Sequence, residues 1–407
     1  MNNVCTVCLG LLQDMFLDEH VDKIMTYLRK VEFQTFQLKV TLPFGVVVRE
    51  HALIQYLNKK LNNKDNKITM IDAKDGIKWI ITDKLTYKYM LSYKHMSEFT
   101  ATIYFEEQVT NKQIIQMIEE ISGNNIETLS QPIVANLIEK LNNEEMLKKY
   151  ELEPPNNKIE KGIVSNVETV HQSIYITGQY AKYSREISNS EWKINGSSIE
   201  QIVAKYIVHY YEPIEHKFYS AGREDLDVRM LGVGRPFVLE LVNPHKLNLN
   251  NINLVKLIED QIKGESVELS VQINNLRKVT KSIYGKIKEG EETKTKTYRC
   301  IVYSQKSLTA NDLIKLTTMK SIEIKQLTPL RVLHRRTLSC RKKKITNMKT
   351  QLINSHFFVL DITAQAGTYI KEFVHGDLQR TTPNITTILN SDCDIMQLDV
   401  LEVDLKV

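Results

Sequence analysis

The chain has 407 residues, of which 42% are hydrophobic and 25% charged. This composition predicts a globular protein of two or three domains and excludes a disordered or fibrous chain. No apolar run approaches the roughly 18 residues of a membrane-spanning helix, and the N-terminus lacks the basic segment of a signal peptide. Because five scattered cysteines form no disulfide framework, we expect a protein of the cytoplasm or nucleus that contacts no membrane.

The net charge of +5 is unevenly divided along the chain. Residues 1–170 carry 20 Lys and Arg against 23 Asp and Glu, whereas residues 171–407 carry 34 against 26. The first part therefore has a net charge of −3 and the second a net charge of +8. This asymmetry favours a polyanion as the partner of the second part.

Periodicity predicts an α/β domain in the first part of the chain. Residues 11–30 repeat apolar side chains at the spacing of one helix face, and residues 36–42 alternate apolar and polar side chains like a half-buried strand. The same reasoning predicts helices at 48–61 and 111–121, a polar turn at 62–66, and strands at 68–81 and 99–105. This part contains no glycine-rich phosphate loop.

A linker separates this part from the rest of the chain. A charged helix at 135–150 leads into residues 151–161, which contain the Pro154–Pro155 pair. We therefore predict one domain over residues 1–160 and a second over residues 170–407. In the second domain the pattern predicts strands at 173–178, 264–272 and 297–303, a polar turn at 179–185, an exposed loop at 283–296, and a helix at 197–211 capped by Ser197 or Ser198.

The segment 220–243 concentrates opposite charges beside a tight turn. Asp225 and Asp227 lie between Arg223 and Arg229, and a Gly-x-Gly-Arg-Pro turn follows at residues 232–236. A carboxylate fixed beside an arginine stays ionised and can act as a nucleophile or base. The alternative is a surface turn that contains an ion pair.

Residues 329–344 form a basic stretch. Seven Lys or Arg fall within the fourteen residues 331–344, and Arg331 interrupts an apolar run. This density predicts a phosphate-binding surface with an arginine aimed into a cleft; the alternative is a solvated charged strand. Two aromatic residues also flank basic ones, Tyr298 on a strand and Tyr369 two residues before Lys371. Such rings stack on unpaired bases. The alternative is packing in the core, which is an equal explanation for Tyr369 and the commoner role of a strand tyrosine such as Tyr298.

Cys5 and Cys8 form a CxxC pair without a second pair anywhere in the chain. Tetrahedral zinc needs four ligands, and the spacing of the histidines identifies none that would complete the site. The alternative is a pair of half-buried thiols, so Cys5 and Cys8 are at most half of a metal site.

These features occur together in one family. Residues 222–229 resemble the GRxD motif of pseudouridine synthases, and the segments 220–244, 328–336 and 366–384 resemble tRNA pseudouridine synthases of the "Pus ten" type. The segment 177–185 also matches, as does LPFGVVVREHA at 42–52 in the first part. The resemblance covers about residues 173–407 and is weaker in the first part.

The resemblance implies an α+β protein in which a mixed, largely antiparallel sheet with flanking helices forms the catalytic domain. It implies an α/β, THUMP-like RNA-binding domain in the first part. The catalytic aspartate would be Asp225, the base-contacting tyrosines Tyr298 and Tyr369, and the basic residue paired with the aspartate Lys371. This last residue is often arginine in related enzymes, and lysine lacks the bidentate fork.

The resemblance also implies a substrate and a mechanism. The substrate would be the TΨC arm of tRNA, modified at position 54, position 55 or both. The reaction would need no cofactor. We expect the enzyme to be a monomer. The uridine flips into the cleft, Asp225 attacks C1′ or takes a proton from C2′, and the freed uracil rotates and rejoins through C5. Arg331, Arg335 and Arg336 would hold phosphates, while Arg223 would stabilise the opened RNA or hold the carboxylate. The family's zinc needs two CxxC pairs, of which only Cys5 and Cys8 are present.

The remaining residues of segment 220–243 then become structural. Asp227 and Arg229 would pair and brace the loop, and the glycines at 232 and 234 would turn the chain into the following strand. Two other functions stay open: an RNA-binding protein of the same fold that acts without catalysis, and an RNA-binding module that serves another modification such as methylation. The second of these predicts a nucleotide-cofactor loop, which the sequence lacks.

Overall fold

The computed structural model describes residues 4–61, 71–107, 111–123, 136–137, 160–190, 198–248, 253–266 and 270–405. The predicted turn at 62–66 and nearly all of the predicted helix at 135–150 and linker at 151–161 lie outside these residues. The chain divides into two compact units, residues 1–172 with 245–247, and residues 173–244 with 248–407. No helix of the described segments is long and apolar enough to cross a membrane.

The first unit is an α/β structure. Its three strands, in the order β1-β2-β3, are β1 (Gln37–Thr41), β2 (Phe99–Glu106) and β3 (Ile163–His171). β1 pairs with β2 in parallel, and β2 pairs with β3 antiparallel. Its helices are α1 (Asp14–Leu28), α2 (Phe44–Lys60), α3 (Ala73–Tyr89) and α4 (Asn111–Ser122). Since β3 belongs to this sheet, the first unit extends to Gln172.

The apolar face predicted for α1 is confirmed, because its four residues are all buried: Leu17, Val21, Ile24 and Leu28. The predicted strand at 68–81 is wrong. Its described part lies in α3, where Ile77, Ile81 and Leu85 are buried at four-residue spacing and Asp72 caps the helix by accepting from the Lys74 amide. The apolar residues of this segment repeat with the spacing of a helix, whereas the prediction took them as the alternation of a strand.

The second unit is built on a ten-stranded sheet with flanking helices. Its strands are β4 (Ile174–Lys182), β5 (Pro213–Ser220), β6 (Arg229–Pro244), β7 (Val271–Val279), β8 (Lys296–Ser304), β9 (Ile322–Leu327), β10 (Cys340–Asn354), β11 (Phe357–Ala364), β12 (Thr381–Thr382) and β13 (Cys393–Val403). Its helices are α5 (Ile199–Tyr211), α6 (Leu254–Ser266), α7 (Ser282–Thr293), α8 (Ala310–Thr318), α9 (Ile370–His375) and α10 (Ile385–Leu389).

The sheet order is β12-β9-β10-β11-β8-β13-β6-β4-β7, with β5 paired to β6. Every pairing is antiparallel except that of β13 with β6, which is parallel. The predicted α+β class, with a mixed, largely antiparallel sheet and flanking helices, is therefore confirmed. The predicted cap of α5 is confirmed at Ser198, which exchanges hydrogen bonds with Gln201 in a capping box.

Three local predictions in this unit are wrong. Residues 179–182 continue β4 instead of turning, because the fully buried Tyr180 packs into the core. The predicted strand at 264–272 divides between α6 and the start of β7, since Leu254, Ile258 and Ile262 are buried at helical spacing. The predicted loop at 283–296 is mostly α7.

The predicted Gly-x-Gly turn is a bulge within β6. Gly232 and Gly234 have φ values of +64° and +91°. A Cβ on Gly234 would lie 2.6 Å from the Tyr180 carbonyl oxygen, so only glycine fits beside β4. The register with β4 shifts here, from Tyr180 opposite Arg235 to Lys182 opposite Met230. This bulge bends β6 directly after the loop that carries Asp225.

Candidate active site

Asp225 lies on the loop that joins β5 to β6, at a cavity of about 380 Å³. Its side chain is 36% exposed. The cavity is lined by residues from distant parts of the second unit. These include all the residues predicted to take part in catalysis or substrate binding: Arg223, Asp225, Tyr298, Arg331, Arg335, Tyr369 and Lys371. The structure therefore brings the predicted residues together around one carboxylate.

Arg331 is the nearest cation to the Asp225 carboxylate. It lies in a 3₁₀ turn (Leu330–Val332) between β9 and β10, and its Nη1 donates to Asp225 Oδ2 at 2.9 Å. Its Nε donates to Glu372 Oε1 at 2.7 Å, and the guanidinium carbon lies 5.9 Å from the centroid of the Tyr369 ring. The sequence assigned Arg331 to RNA phosphates, whereas the structure joins it to two carboxylates.

Glu372 was missed by the sequence interpretation. Its carboxylate, on α9, is 2% exposed, and Oε2 has no hydrogen-bond partner among the described residues. A buried carboxylate that is bonded through one oxygen to an arginine fixes that arginine strongly, because the alternative is an unpaired buried charge. The signal in the sequence was weak, since Glu372 is one acidic residue in a short helix.

Lys371 forms an ion pair with Asp225, the pairing that the resemblance implied, but its hydrogen bonds go to Asp227. Its Nζ lies 2.8 and 3.1 Å from the two carboxylate oxygens of Asp227, and 3.6 Å from Asp225 Oδ2. Although partial burial opposes ionisation, the Lys371 ammonium holds the pKa of Asp227 below its usual value. Lys371 thus contributes to Asp225 as a more distant charge, and Arg331 supplies the direct contact.

The predicted pair of Asp227 and Arg229 does not form. Arg229 instead donates from Nε and Nη2 to Asp399 on β13, at 3.0 and 2.6 Å. Arg185 Nη2 donates to the same carboxylate at 2.7 Å, and its Nη1 reaches the Asp227 backbone carbonyl at 2.5 Å. Closeness in sequence suggested the wrong partner. The Asp227 side chain contacts Lys371 on α9, whereas the Arg229 side chain contacts Asp399 on β13.

A buried lysine holds the backbone of the Asp225 loop. Lys182, at the end of β4, is fully buried, and burial lowers the pKa of its ammonium. Its Nζ donates to the carbonyls of Ile187 and Leu226 at 2.9 Å and of Asp225 at 3.4 Å. Three carbonyl contacts satisfy the three donors of an ammonium. The loop therefore has a fixed backbone directly beneath the reactive side chain.

A second buried group anchors the residue before Asp225. Glu224 has a fully buried carboxylate, which accepts from Arg235 Nε at 2.9 Å and from the Tyr180 hydroxyl at 3.2 Å. Arg235 also donates to the Ala221 carbonyl at 2.7 Å. Both ends of the loop are therefore tied to the sheet, and Asp225 is presented on a rigid support.

The two predicted tyrosines occupy different walls of the cavity. Tyr298 comes from β8, and burial raises its pKa to about 12, so its hydroxyl stays protonated at neutral pH. Tyr369 precedes α9, and its backbone is fixed by the buried side chain of Gln326, which accepts from the Tyr369 amide at 3.0 Å and donates to its carbonyl at 2.9 Å. Both tyrosines line the cavity.

Three arginines at the cavity contrast with Arg331. Arg223, Arg335 and Arg336 are exposed, and within the described segments none of their guanidinium groups has a hydrogen-bond or ion-pair partner. Unpaired arginines beside a pocket form a surface that attracts phosphates.

The Cys5 and Cys8 pair supplies two donors and no more. Cys8 is buried, and burial raises the pKa of its thiol to about 11. Over the described segments, no group of three or more His, Cys, Asp or Glu is placed to hold a metal ion. Two thiols do not fit the four ligands of a structural zinc, so no step is assigned to a metal.

Two family profiles match the chain. Residues 5–169 match the profile described as "Eukaryotic Pus10, N-terminal", and residues 175–404 match that described as "Pus10, C-terminal". The chain belongs to the Pus10 family. The C-terminal Pus10 profile includes every residue that lines the Asp225 cavity, and the family predicted from the motifs is confirmed.

Named Pus10 relatives agree with this result. A human protein named tRNA pseudouridine synthase Pus10 is 34% identical over 418 residues, which cover 99% of this chain and 78% of the relative. A protein of the same name from Pyrococcus furiosus is 37% identical over 242 residues, which cover 58% of this chain and 59% of the relative. A crystal structure of a Cbf5-Nop10-Gar1 complex is 15% identical, covers 55% of this chain and 48% of that chain, and has a TM-score of 0.31.

The prediction that the chain is a pseudouridine synthase, an isomerase, is confirmed at the level of the Pus10 family. The roles of single residues and the THUMP-like character of the first unit stay predictions.

The geometry leads to a first prediction, on Asp227. We expect Asp227→Asn to lower turnover by less than about tenfold, because an exposed ion pair contributes about 1 kcal/mol or less. Lys371, released from Asp227, can move onto Asp225, from which it already lies 3.6 Å. The measurement is the single-turnover rate of a variant whose unfolding midpoint shows that it is folded. Complete loss of turnover in folded Asp227→Asn would assign this residue to the chemistry.

Proposed function

We propose that this chain isomerises uridine to pseudouridine in the TΨC arm of tRNA, at position 54, position 55 or both. The observation that supports this most directly is the Asp225 carboxylate, held by Arg331 at a cavity with two tyrosines and unpaired arginines. The name of the Pus10 relatives supports tRNA as the substrate.

The target base has to leave its stack before the sugar can reach Asp225. A cavity of about 380 Å³ has room for a uracil, which can stack on Tyr369 or lie against Tyr298. Arg223 borders this cavity and is placed to contact the RNA strand from which the base has been removed. The same surface thus serves to open the RNA and to hold the opened form.

Asp225 then acts on the sugar, either by attacking C1′ or by taking a proton from C2′. In both routes the bond between N1 and C1′ breaks, the uracil rotates, and a bond forms between C5 and C1′. The proton lost from C5 is balanced by the proton gained at N1, so no cofactor is required. Arg331 donates to Oδ2 of Asp225 and so fixes the direction of one carboxylate oxygen.

Conversion of a tRNA transcript tests this function. Purified protein is incubated with the transcript, and pseudouridine is mapped by carbodiimide modification and primer extension. We expect modification at position 54, 55 or both, and none in a control transcript that carries cytidine at both positions. No pseudouridine in the TΨC arm, with modification elsewhere, would contradict the substrate; none at all would contradict the activity.

Arg335 and Arg336 should hold phosphates, because they are exposed and unpaired among the described residues. Each change to glutamine is expected to reduce the slope of log binding constant against log salt concentration by about one. Arg299→Gln is the matched control, since Arg299 alternates to the sheet face opposite Tyr298 and pairs with Asp361. Equal slopes for all three variants and the wild type would show that the two arginines contact no phosphate.

The first unit would contribute RNA binding as a THUMP-like domain, in a protein that acts as a monomer in the cytoplasm or nucleus. The five cysteines are free, which supports a reducing compartment.

A further inference from the structure

A second cavity adjoins the Asp225 loop. Its volume is about 260 Å³, and Gly222 and Arg223 line both this cavity and the one that contains Asp225. Gly222 has a φ of +90°, so the chain turns sharply between the two spaces. The two cavities are therefore neighbours that share a wall at Gly222 and Arg223.

Aromatic rings form the walls of this second cavity. Tyr219 on β5 and Tyr284 on α7 meet edge to face, with ring centroids 4.6 Å apart and an interplanar angle of 66°. The Tyr219 hydroxyl donates to Glu240 Oε2 at 3.3 Å, which fixes that ring. Phe218 stacks on Phe237 at 5.4 Å behind it. Tyr284 is half-buried and lines the cavity.

The charge at this cavity is positive. Arg223 and Lys288 border it, and no acidic residue lines it among those that the structure describes. Neither cation has an ion-pair partner within the same described segments. A space that only filled a gap between β5 and α7 would need no cations, whereas aromatic walls with cations at the edge are suited to a base and its phosphate.

We propose that this cavity binds a second unpaired nucleobase of the RNA substrate, a neighbour of the target uridine. The base stacks on Tyr284, and its phosphate lies between Arg223 and Lys288. This inference rests on the proposed function and extends it, because the enzyme then recognises two displaced bases on either side of one arginine. The second base contributes to affinity and register, while the chemistry remains at Asp225.

The test combines Tyr284→Ala with RNA substrates that each carry one abasic nucleotide near the target. We expect Tyr284→Ala to raise KM about tenfold with little change in kcat, since stacking of one base contributes a comparable factor. One abasic position should raise KM similarly in the wild type and have no further effect in Tyr284→Ala. Tyr284→Phe, which keeps the ring, should restore the sensitivity to that position.

Tyr303→Ala is the control, because this half-exposed tyrosine lines neither cavity, and its KM should stay at the wild-type value. The proposal is overturned if Tyr284→Ala leaves KM unchanged. It is also overturned if, for every abasic position, the increase in KM caused by the abasic nucleotide is as large in Tyr284→Ala as in the wild type. Should Tyr284→Ala be unstable, the exposed Lys288 provides a second variant. Lys288→Gln should lower the salt slope of binding by about one, and an unchanged slope also overturns the proposal.

The proposed function is tested separately by turnover of the intact transcript by the wild-type protein. Activity on that transcript without coupling between Tyr284 and any nucleotide would leave the enzyme assignment in place and remove only the second base site.

Discussion

Asp225→Asn and Asp225→Ala are expected to abolish pseudouridine formation, with a fall in kcat on the order of 10⁴-fold or more. Asn retains the size of the side chain and one acceptor for Arg331, yet it can neither attack C1′ nor take a proton. Because Lys182 and Arg235 hold the loop through other groups, the fold should survive both changes. Affinity for tRNA should stay close to that of the wild type.

Release of tritium from tRNA labelled at uridine C5 measures this directly, since the proton leaves C5 in the proposed reaction. Asp394→Asn is a matched control on the exposed start of β13, and it should turn over normally. A folded Asp225→Asn protein with wild-type tritium release would show that another group is the nucleophile or base. Wild-type protein that binds tRNA without any release would favour a role in binding alone.

The second large effect is expected at the contact between Arg331 and Glu372. Glu372→Gln should lower kcat by roughly 10²-fold, because the neutral amide removes the buried negative charge that anchors Arg331, and the Asp225 carboxylate then loses its orientation. Arg331→Lys should have a similar effect, since one ammonium cannot reproduce the two contacts that Nε and Nη1 make. The dissociation constant for tRNA should change by less than about threefold, because the lost contacts are to carboxylates and not to RNA phosphates.

Two readouts distinguish this positioning role from RNA binding. The effects of Glu372→Gln and Arg331→Lys should not multiply in the double variant, since both act on one contact. Arg336→Gln offers the contrast, because this arginine has no carboxylate partner among the described residues and should change affinity more than kcat. If Arg331→Lys weakens binding and leaves kcat unchanged, Arg331 holds a phosphate, as its sequence context had suggested.

The sequence was sufficient to predict several charged and aromatic residues of the cavity wall, but not others such as Lys296 and Arg235. The motifs around Asp225, Arg331 and Tyr369 each place charged, small or aromatic residues on one short segment. Their resemblance to one family therefore placed them together, although they are far apart in the chain. The strand that carries Tyr298 was also predictable from its alternating pattern. None of this required knowledge of the sheet order.

Ion-pair partners were not predictable in the same way. Arg229 pairs with Asp399, 170 residues away, although Asp227 is two residues from it. Arg331 pairs with Glu372 and Asp225, which lie 41 and 106 residues away. Partner choice depends on which side chains the folded sheet brings within about 3 Å, and spacing along the chain does not contain that information. The same limit applies to Lys182, whose role becomes visible only when the loop lies above it.

The last strand of the sheet has a consequence for when activity can arise. β13 lies between β8 and β6. Among the described strands it is the only link between the part of the sheet that includes β8, β9 and β10, near Tyr298 and Arg331, and the part that includes β5 and β6, whose connecting loop carries Asp225. A nascent chain that ends at α10 therefore contains the cavity residues from both parts of the sheet. It lacks β13, whose hydrogen bonds to β8 and β6 join those two parts. We expect such a chain to have no catalytic activity on RNA while it is still at the ribosome. Catalysis should begin only after residues 393–403 have been synthesised and have paired with β8 and β6.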